Sequence, residues 1–187
     1  MDQDSAIDNP AGAAELAGSS VARPHWQDCG RATDRSAWNP LVARFFDYWL
    51  SIAPAGRLPG RQHFDPLDIV ALMPRVWILD VVRDASGPRF CYRLVGTREV
   101  QTLEREVTGC WLDEVHPHLK ETPGGFARFH HITETGNPTY RKGRVLFIHR
   151  KDDRVVENCI VPMARDGATV DMIAGCSVLY RSTGKED

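Results

Sequence analysis

The C-terminal part of the chain carries three strand-like segments separated by short turns, and this pattern constrains the fold most. The segments span about residues 139–149, 155–164 and 169–180. Polar turn residues lie between them at 151–153 and 165–167, the second turn reading Arg-Asp-Gly. Because short turns of this kind join neighbouring antiparallel strands, the three segments predict an antiparallel meander.

A second pair of strands is predicted earlier in the chain. Residues 76–82 form a continuous apolar run, and residues 89–95 alternate between apolar and polar side chains. Turn-forming residues at 84–88 separate them, so the pair predicts a hairpin. Helices are predicted at 40–52, 67–73, 98–105 and 123–135. This order predicts an α+β fold: a five-stranded antiparallel sheet with helices on one face, preceded by an N-terminal helix.

The first predicted helix carries more apolar side chains than a solvated helix tolerates. Asn39 and Pro40 mark its start, because Asn caps helices and Pro suits the first helical position. The apolar stripe must cover another surface, which is either the protein's own domain or a partner. The residues predicted for a dimer or partner surface are Leu41, Phe45, Tyr48, Trp49 and Ile52.

Composition sets the domain boundaries and the expected compartment. Residues 1–37 have little periodic hydrophobicity and predict a disordered tail, residues 38–182 the ordered domain, and residues 183–187 a second tail. The start of the chain lacks the pattern of a signal peptide, and no apolar run approaches the roughly 20 residues that span a bilayer. The 5 cysteines contain no Cys-x-x-Cys pair. We therefore expect a cytoplasmic protein without a membrane span.

Short motifs then follow one another in a characteristic order. They are Tyr48-Trp49, Met73-Pro74, Leu79-Asp80, Thr108-Gly109 and the segments 58–61, 64–66, 90–97, 136–138, 161–163 and 170–172. Over about residues 41–180 the chain resembles a family of small bacterial proteins built on one PAS-like domain. The resemblance implies a curved five-stranded sheet whose helices close a small cavity. It also implies binding of a small ligand or a protein, often by a homodimer, and it names no ligand.

Aromatic side chains are the usual lining of a small-ligand cavity, with a few polar groups that orient the ligand. The residues predicted for ligand contact are Trp77, Tyr92, Arg93, Thr97, Trp111, Phe126, Phe129 and Phe147. The same aromatic residues also fit a dry core. Arg93 is a strand arginine among apolar neighbours, and Asp80 across the hairpin is its predicted partner.

The cofactor is unknown, and haem and flavin are not expected. Haem-binding PAS sensors that use a histidine ligand carry it on the helix before the third strand. Matching the turn at 136–138 with theirs puts the ligand position near Gly124 or Gly125, whereas the histidines are His130 and His131. Light-sensing PAS domains hold a reactive cysteine in an Asn-Cys-Arg-Phe run, and the nearest cysteine, Cys110, lacks that context.

An enzyme is the alternative to a binding module. A small hydrolase or isomerase could use a His-Asp pair in a cavity, and His149 with Asp171 is the candidate pair. The other interpretation is that both residues lie on the solvent-exposed face of the sheet. A metal site is not expected at Asp152 and Asp153, because carboxylates are common in hairpin turns.

A basic cluster on the third strand is the remaining charged feature. It comprises Arg141, Lys142, Arg144, Arg150 and Lys151, with Asp152, Asp153 and Glu157 nearby. It predicts either a solvated strand face or attraction of an anionic ligand or acidic partner. No aromatic series accompanies it and the net charge is -2, so nucleic acid is not an expected partner. We predict a sensory or regulatory module that binds a small molecule or a signalling protein and has no catalytic output of its own.

Overall fold

The computed structural model describes residues 25–122, 124–145, 154–181, 184 and 186. An antiparallel sheet of 6 strands lies at its centre, in the order β1-β4-β5-β6-β2-β3. The strands are β1 (Gln27–Asp28), β2 (Val76–Asp84), β3 (Gly87–Val95), β4 (Thr139–Arg144), β5 (Val155–Met163) and β6 (Met172–Tyr180). Strands β2 to β6 are the predicted hairpin and meander, and the short β1 is an addition at the edge.

The helices are α1 (Pro40–Ser51), α2 (Thr97–Leu103), α3 (Leu112–Val115), α4 (His118–Glu121) and α5 (Ala127–Thr135). The Asn39 side chain accepts a hydrogen bond from the Leu41 N–H, as its capping role predicts. The helix predicted at 67–73 is instead a pair of 3-10 turns, Pro66–Ile69 and Met73–Arg75. The helix predicted from residue 123 begins at Ala127, because Gly124 has a positive φ of 72°.

Helix α1 packs across one face of the sheet. Its buried residues are Val42, Phe45, Phe46 and Trp49. They contact strand residues that include Val76, Ile78, Met163 and Ala174, together with the buried thiols of Cys29, Cys159 and Cys176. The Trp49 indole N–H donates to the Pro162 carbonyl at 2.8 Å. This face, the α1 face below, is the larger of the two apolar clusters.

The opposite face, the inner face below, is covered by α2, α3 and α5. Leu103, Leu112, Phe129 and Ile132 from these helices pack on Trp77, Leu79, Ile160 and Ile173 of the strands. The central strands are therefore buried on both sides, and β5 shows eight buried residues after Val155. As predicted, α2, α3 and α5 lie on one face of the sheet. The preceding N-terminal helix, α1, lies on the other face.

Strand β1 shows that order begins before the predicted boundary. Gln27 pairs with Tyr140, and Asp28 pairs with Thr139 of β4. The Asp28 carboxylate contacts His131 Nε2 at 2.7 Å and accepts from Asn137 Nδ2 at 3.1 Å. The prediction that residues 25–37 belong to a disordered tail is therefore corrected, because polar contacts and strand pairing hold the start of this segment on the domain.

None of the helices in the described ranges is long and apolar enough to cross a membrane.

Candidate ligand-binding cavity

A cavity of about 60 Å³ lies between the inner face of the sheet and helices α2, α3 and α5. Its apolar wall includes Trp77, Leu79, Val95, Leu103, Leu112 and Phe129. Its polar wall comprises Tyr92, Glu99, Thr102, His116, Asn158 and Ser177. An apolar hollow with a few convergent polar groups is the usual form of a small-ligand site, although this one is smaller than most.

A β-bulge in β3 decides which hairpin side chains reach the cavity. Ile78 pairs with Leu94, but the next residue, Leu79, pairs with Tyr92, so Arg93 is the extra residue. The bulge lets both Tyr92 and Val95 line the cavity although they are three positions apart. Arg93 is turned to the exterior, where its Nε donates to Asp80 Oδ1 at 2.6 Å. The predicted Arg93–Asp80 pair is thus present, but outside the cavity.

Tyr92 and His116 form the best-defined polar contact in the cavity wall. The Tyr92 hydroxyl lies 3.0 Å from His116 Nε2, and both residues are buried. Burial raises the pKa of Tyr92, so the hydroxyl keeps its proton over the whole physiological range. His116 is held at the end of α3, where its backbone N–H donates to Leu112.

Trp77 is fixed against the floor of the cavity. Its indole N–H donates to Ser177 Oγ at 3.0 Å. Its ring lies over Gly175, the residue that pairs with it on β6. A Cβ atom at position 175 would come within 2.2 Å of Trp77 Cζ2, so only glycine allows this ring position.

The buried guanidinium group of Arg128 lies next to Asn158. Arg128 of α5 donates to Asn158 Oδ1 at 2.7 Å and to Thr139 Oγ1 at 2.8 Å. These acceptors are neutral, and burial lowers the pKa of Arg128 to about 9. Arg141, also buried, faces it from β4, and its Nε has no hydrogen-bond partner. The side of the cavity next to Asn158 is therefore electropositive.

Glu99 contributes a carboxyl group to the cavity wall. It lies in the first turn of α2 and is partly buried. Burial raises the pKa of Glu99 to about 8, against a smaller opposing effect of Arg75. Within the described residues, its carboxyl makes no hydrogen bond or ion pair. At pH 7 the group is mostly a neutral acid that can donate a hydrogen bond into the cavity.

The residues predicted for ligand contact divide into two groups. The structure places Trp77, Tyr92 and Phe129 in the cavity wall. Arg93 and Thr97 are exposed, and Trp111 lies beneath the Arg89 guanidinium, 4.2 Å from its ring centre, so these three are corrected. Phe126 packs on Phe129 from outside the cavity, with ring centres 6.4 Å apart. Phe147 lies outside the described residues.

The predicted partner surface is corrected in part. Phe45 and Trp49 are buried against the protein's own sheet, because α1 uses its apolar stripe to cover the α1 face. Leu41, Tyr48 and Ile52 are partly exposed at the borders of that contact. The most exposed large apolar side chains are Leu67 and Val70, in and just after the 3-10 turn at Pro66–Ile69.

The His149–Asp171 pair of the enzyme alternative stays a prediction. Asp171 precedes β6, where its Oδ2 accepts from the Arg165 N–H at 3.3 Å, and it does not line the cavity. His149 lies outside the described residues. In the part of the chain that the structure describes, no group of three or more His, Cys, Asp or Glu residues could hold a metal ion.

The basic cluster is also divided by the structure. Arg141 is buried on the inner face, Lys142 contacts Glu157 at 2.9 Å, and Arg144 is exposed. Arg150 and Lys151, with Asp152 and Asp153, are outside the described residues. The predicted solvated strand face is therefore wrong for Arg141, because alternate residues of β4 face the interior.

Four functional candidates escaped the sequence-based prediction: Glu99, His116, Asn158 and Ser177. Asn158 and Ser177 had a usable signal, since each is a polar residue within a mostly apolar strand. Glu99 and His116 had none, because their positions depend on how α2 and α3 pack on the sheet.

The comparisons with known proteins agree with this architecture. Residues 39–122, from the cap of α1 to the end of α4, match a family model described as PAS domain. This part of the chain is similar to the PAS domain family. Strands β4 to β6 lie beyond the matched range and complete the PAS-type sheet. Searches of curated proteins and of solved structures found no match. A PAS domain indicates a sensory or regulatory module.

Proposed function

We propose that this PAS-like protein binds a small molecule in the inner-face cavity and acts as a sensory or regulatory module without catalytic output. The observation that carries the proposal is the cavity itself, an apolar hollow with the Tyr92–His116 contact and the unpaired Glu99 carboxyl in its wall. A domain core normally closes such a hollow and pairs its polar groups. The proposed ligand contacts are Trp77, Tyr92 and Phe129 from the initial prediction, with Glu99 and His116 added.

Binding at this site can reach the rest of the domain through α2. This helix follows β3 directly, and it contributes Glu99, Thr102 and Leu103 to the cavity. A ligand that contacts these side chains shifts α2 relative to the sheet, which is the kind of change a partner protein can detect. The homodimer and the signalling partner stay predictions, with Leu41, Tyr48 and Ile52 as the remaining candidates on α1.

The test combines a ligand search with a variant that fills the cavity. Native mass spectrometry and an absorption spectrum of the purified protein reveal any co-purified molecule, and thermal shift with a small-molecule panel finds others. Leu103→Trp places a bulky indole ring in the cavity and should abolish ligand binding. Leu67→Trp is the matched control, because Leu67 is 79% exposed and distant from the cavity lining.

Two results contradict the proposal. One is a protein that binds no member of the panel and carries no co-purified molecule. The other is a ligand that binds Leu103→Trp as tightly as the unaltered protein, because that ligand sits elsewhere.

A further inference from the structure

The cavity shares a wall with a second hollow that opens on the protein surface. This outer recess has a volume of about 180 Å³. Glu99, Thr102, Ser177 and Leu179 line both hollows. A ligand that reaches past these side chains would therefore occupy the cavity with one end and the recess with the other.

The outer recess is strongly basic. Among the described residues, three arginines line it, Arg75, Arg98 and Arg154, and Glu99 is the one lining residue with a carboxyl group. Arg75 is paired with Glu186 at 2.6 Å, whereas Arg98 is exposed. Behind the cavity, Arg128 adds a buried positive charge whose hydrogen bonds go to neutral acceptors. Positive groups concentrated around a low-dielectric hollow attract an anion.

Glu99 does not cancel this attraction at neutral pH. Burial raises the pKa of Glu99 to about 8, so most molecules carry it as a neutral acid at pH 7. A neutral acid donates a hydrogen bond to an anionic oxygen. The Ser177 hydroxyl beside it accepts from the Trp77 indole and keeps its own proton to donate. The carboxyl at the wall shared by both hollows is thus a donor that suits a carboxylate.

The inner cavity suits the opposite chemistry. Trp77, Leu79, Leu112 and Phe129 give it a mostly apolar wall. A volume of about 60 Å³ accommodates a group on the order of four to five non-hydrogen atoms, given the space that one water needs. A short alkyl chain fits these limits.

We infer that the ligand is a small amphipathic organic acid, which places a short apolar end in the cavity and its carboxylate in the arginine-lined recess. This inference rests on the proposed function and adds the ligand class. Arg98 and Glu99 are the residues that recognise the carboxylate, Arg98 by charge and Glu99 as a hydrogen-bond donor.

The first experiment measures binding of pentanoate and of pentanamide by isothermal titration calorimetry at pH 7. The two probes share an alkyl chain and differ in charge. Pentanoate should bind at least tenfold more tightly. Arg98→Ala should weaken pentanoate binding about two- to fivefold, in the range of an exposed charge contact, and leave pentanamide unchanged. Arg44→Ala, which removes an exposed arginine of α1, is the control and should change neither affinity.

The second experiment follows the pH dependence. Ionisation of Glu99 between pH 7 and 9 puts a like charge beside the ligand, so the affinity for pentanoate should fall. Glu99→Gln keeps a hydrogen-bond donor and cannot ionise, so its affinity should fall less over this range. The other charged or titratable groups around Glu99 are Tyr92, His116 and Cys176 in the interior and Arg75, Arg98, Arg154 and Glu186 outside. They are present in both proteins, as is Arg128, so the difference isolates Glu99.

The outcomes separate the two proposals. Pentanamide binding as tightly as pentanoate, or failure of straight-chain carboxylates of two to eight carbons to bind, overturns the ligand class. The proposed function survives that result if Leu103→Trp still abolishes binding of another molecule. An affinity that falls equally with pH in Glu99→Gln overturns the role of Glu99.

Discussion

The two faces of the sheet use the same strands but satisfy their side chains differently. On the α1 face, the buried carboxylate of Glu157 has three donors: the Asn39 N–H, the Tyr180 hydroxyl at 2.9 Å and Lys142 Nζ at 2.9 Å. On the inner face, the Glu99 carboxyl has no hydrogen-bond partner within the described residues, and Arg141 Nε has none either. The inner face also holds the cavity.

We attribute most of the stability to the α1 face and ligand binding to the inner face. Buried polar groups in proteins are normally paired, so a face whose polar groups are paired and whose apolar groups interdigitate contributes to the free energy of unfolding. A face that leaves polar groups unpaired gives up stability and retains the capacity to bind. The four variants below test that division, from the largest expected effect to the smallest.

Phe45→Ala should be the most destabilising. Phe45 is fully buried under α1, and its removal leaves a cavity in a packed core, at a cost of about 3–5 kcal/mol in the free energy of unfolding. Leu103→Ala on the inner face should cost less than half as much, because Leu103 is only partly buried and already borders a hollow. Urea denaturation measures both. Equal losses would contradict the division between the faces.

Glu157→Gln should destabilise the protein by about 2 kcal/mol, since it weakens charge-assisted hydrogen bonds to a buried group. Burial alone would raise the pKa of Glu157, but the hydrogen bonds from Lys142, Asn39 and Tyr180 outweigh burial and lower it. A lowered pKa adds stability above the unfolded value, and this stability is lost as the pH falls through the folded value. The loss of stability below about pH 4.5 should therefore be smaller in the variant.

The control for that variant is Glu114→Gln, whose side chain is 60% exposed and should change the urea midpoint little. A Glu157→Gln protein as stable as Glu114→Gln would show that the buried carboxylate does not anchor the start of α1.

Gly175→Ala should cost about 1–2 kcal/mol, because the new Cβ displaces the Trp77 ring. The displaced ring enters the cavity, so ligand binding should be lost along with this modest stability. Gly30→Ala is the control, since a Cβ there meets no atom within 4 Å. Unchanged ligand affinity in Gly175→Ala would show that the Trp77 ring position does not shape the site.

Glu99→Gln should have the smallest effect, about 1 kcal/mol or less at pH 6, because a neutral acid is replaced by a neutral amide. The raised pKa of Glu99 has the opposite sign to that of Glu157. The stability that the neutral acid preserves is full below the unfolded pKa and declines as the pH rises toward about 8. Urea midpoints between pH 5 and 8.5 should fall more steeply in the unaltered protein than in Glu99→Gln, and parallel curves would contradict this.

The fold was more predictable from the sequence than the site. Apolar periodicity and turn residues locate β2, β3, β5 and β6 well, because strand spacing and turn chemistry are local properties. The cap at Asn39 and Pro40 likewise places the start of α1. The start of α5 was missed by four residues, since Gly124 and Gly125 adopt a turn that the helical pattern of 126–133 does not reveal.

The site depends on features that local patterns do not contain. The bulge at Arg93 shifts the register of β3 by one residue, which reverses the direction expected for that side chain. Phe45 and Trp49 read as a partner surface because an apolar stripe looks the same whether it covers a sheet or another molecule. The position of Glu99 in the cavity wall depends on how α2 packs on the sheet, which the sequence pattern does not show.

Strand β1 has a practical consequence for self-association. It contributes just Gln27–Asp28, yet these residues occupy part of the hydrogen-bonding edge of β4. A chain shortened to begin at Trp38 would leave that edge unpaired. Open sheet edges recruit further strands, so the shortened chain should aggregate more readily than the protein that keeps residues 25–37.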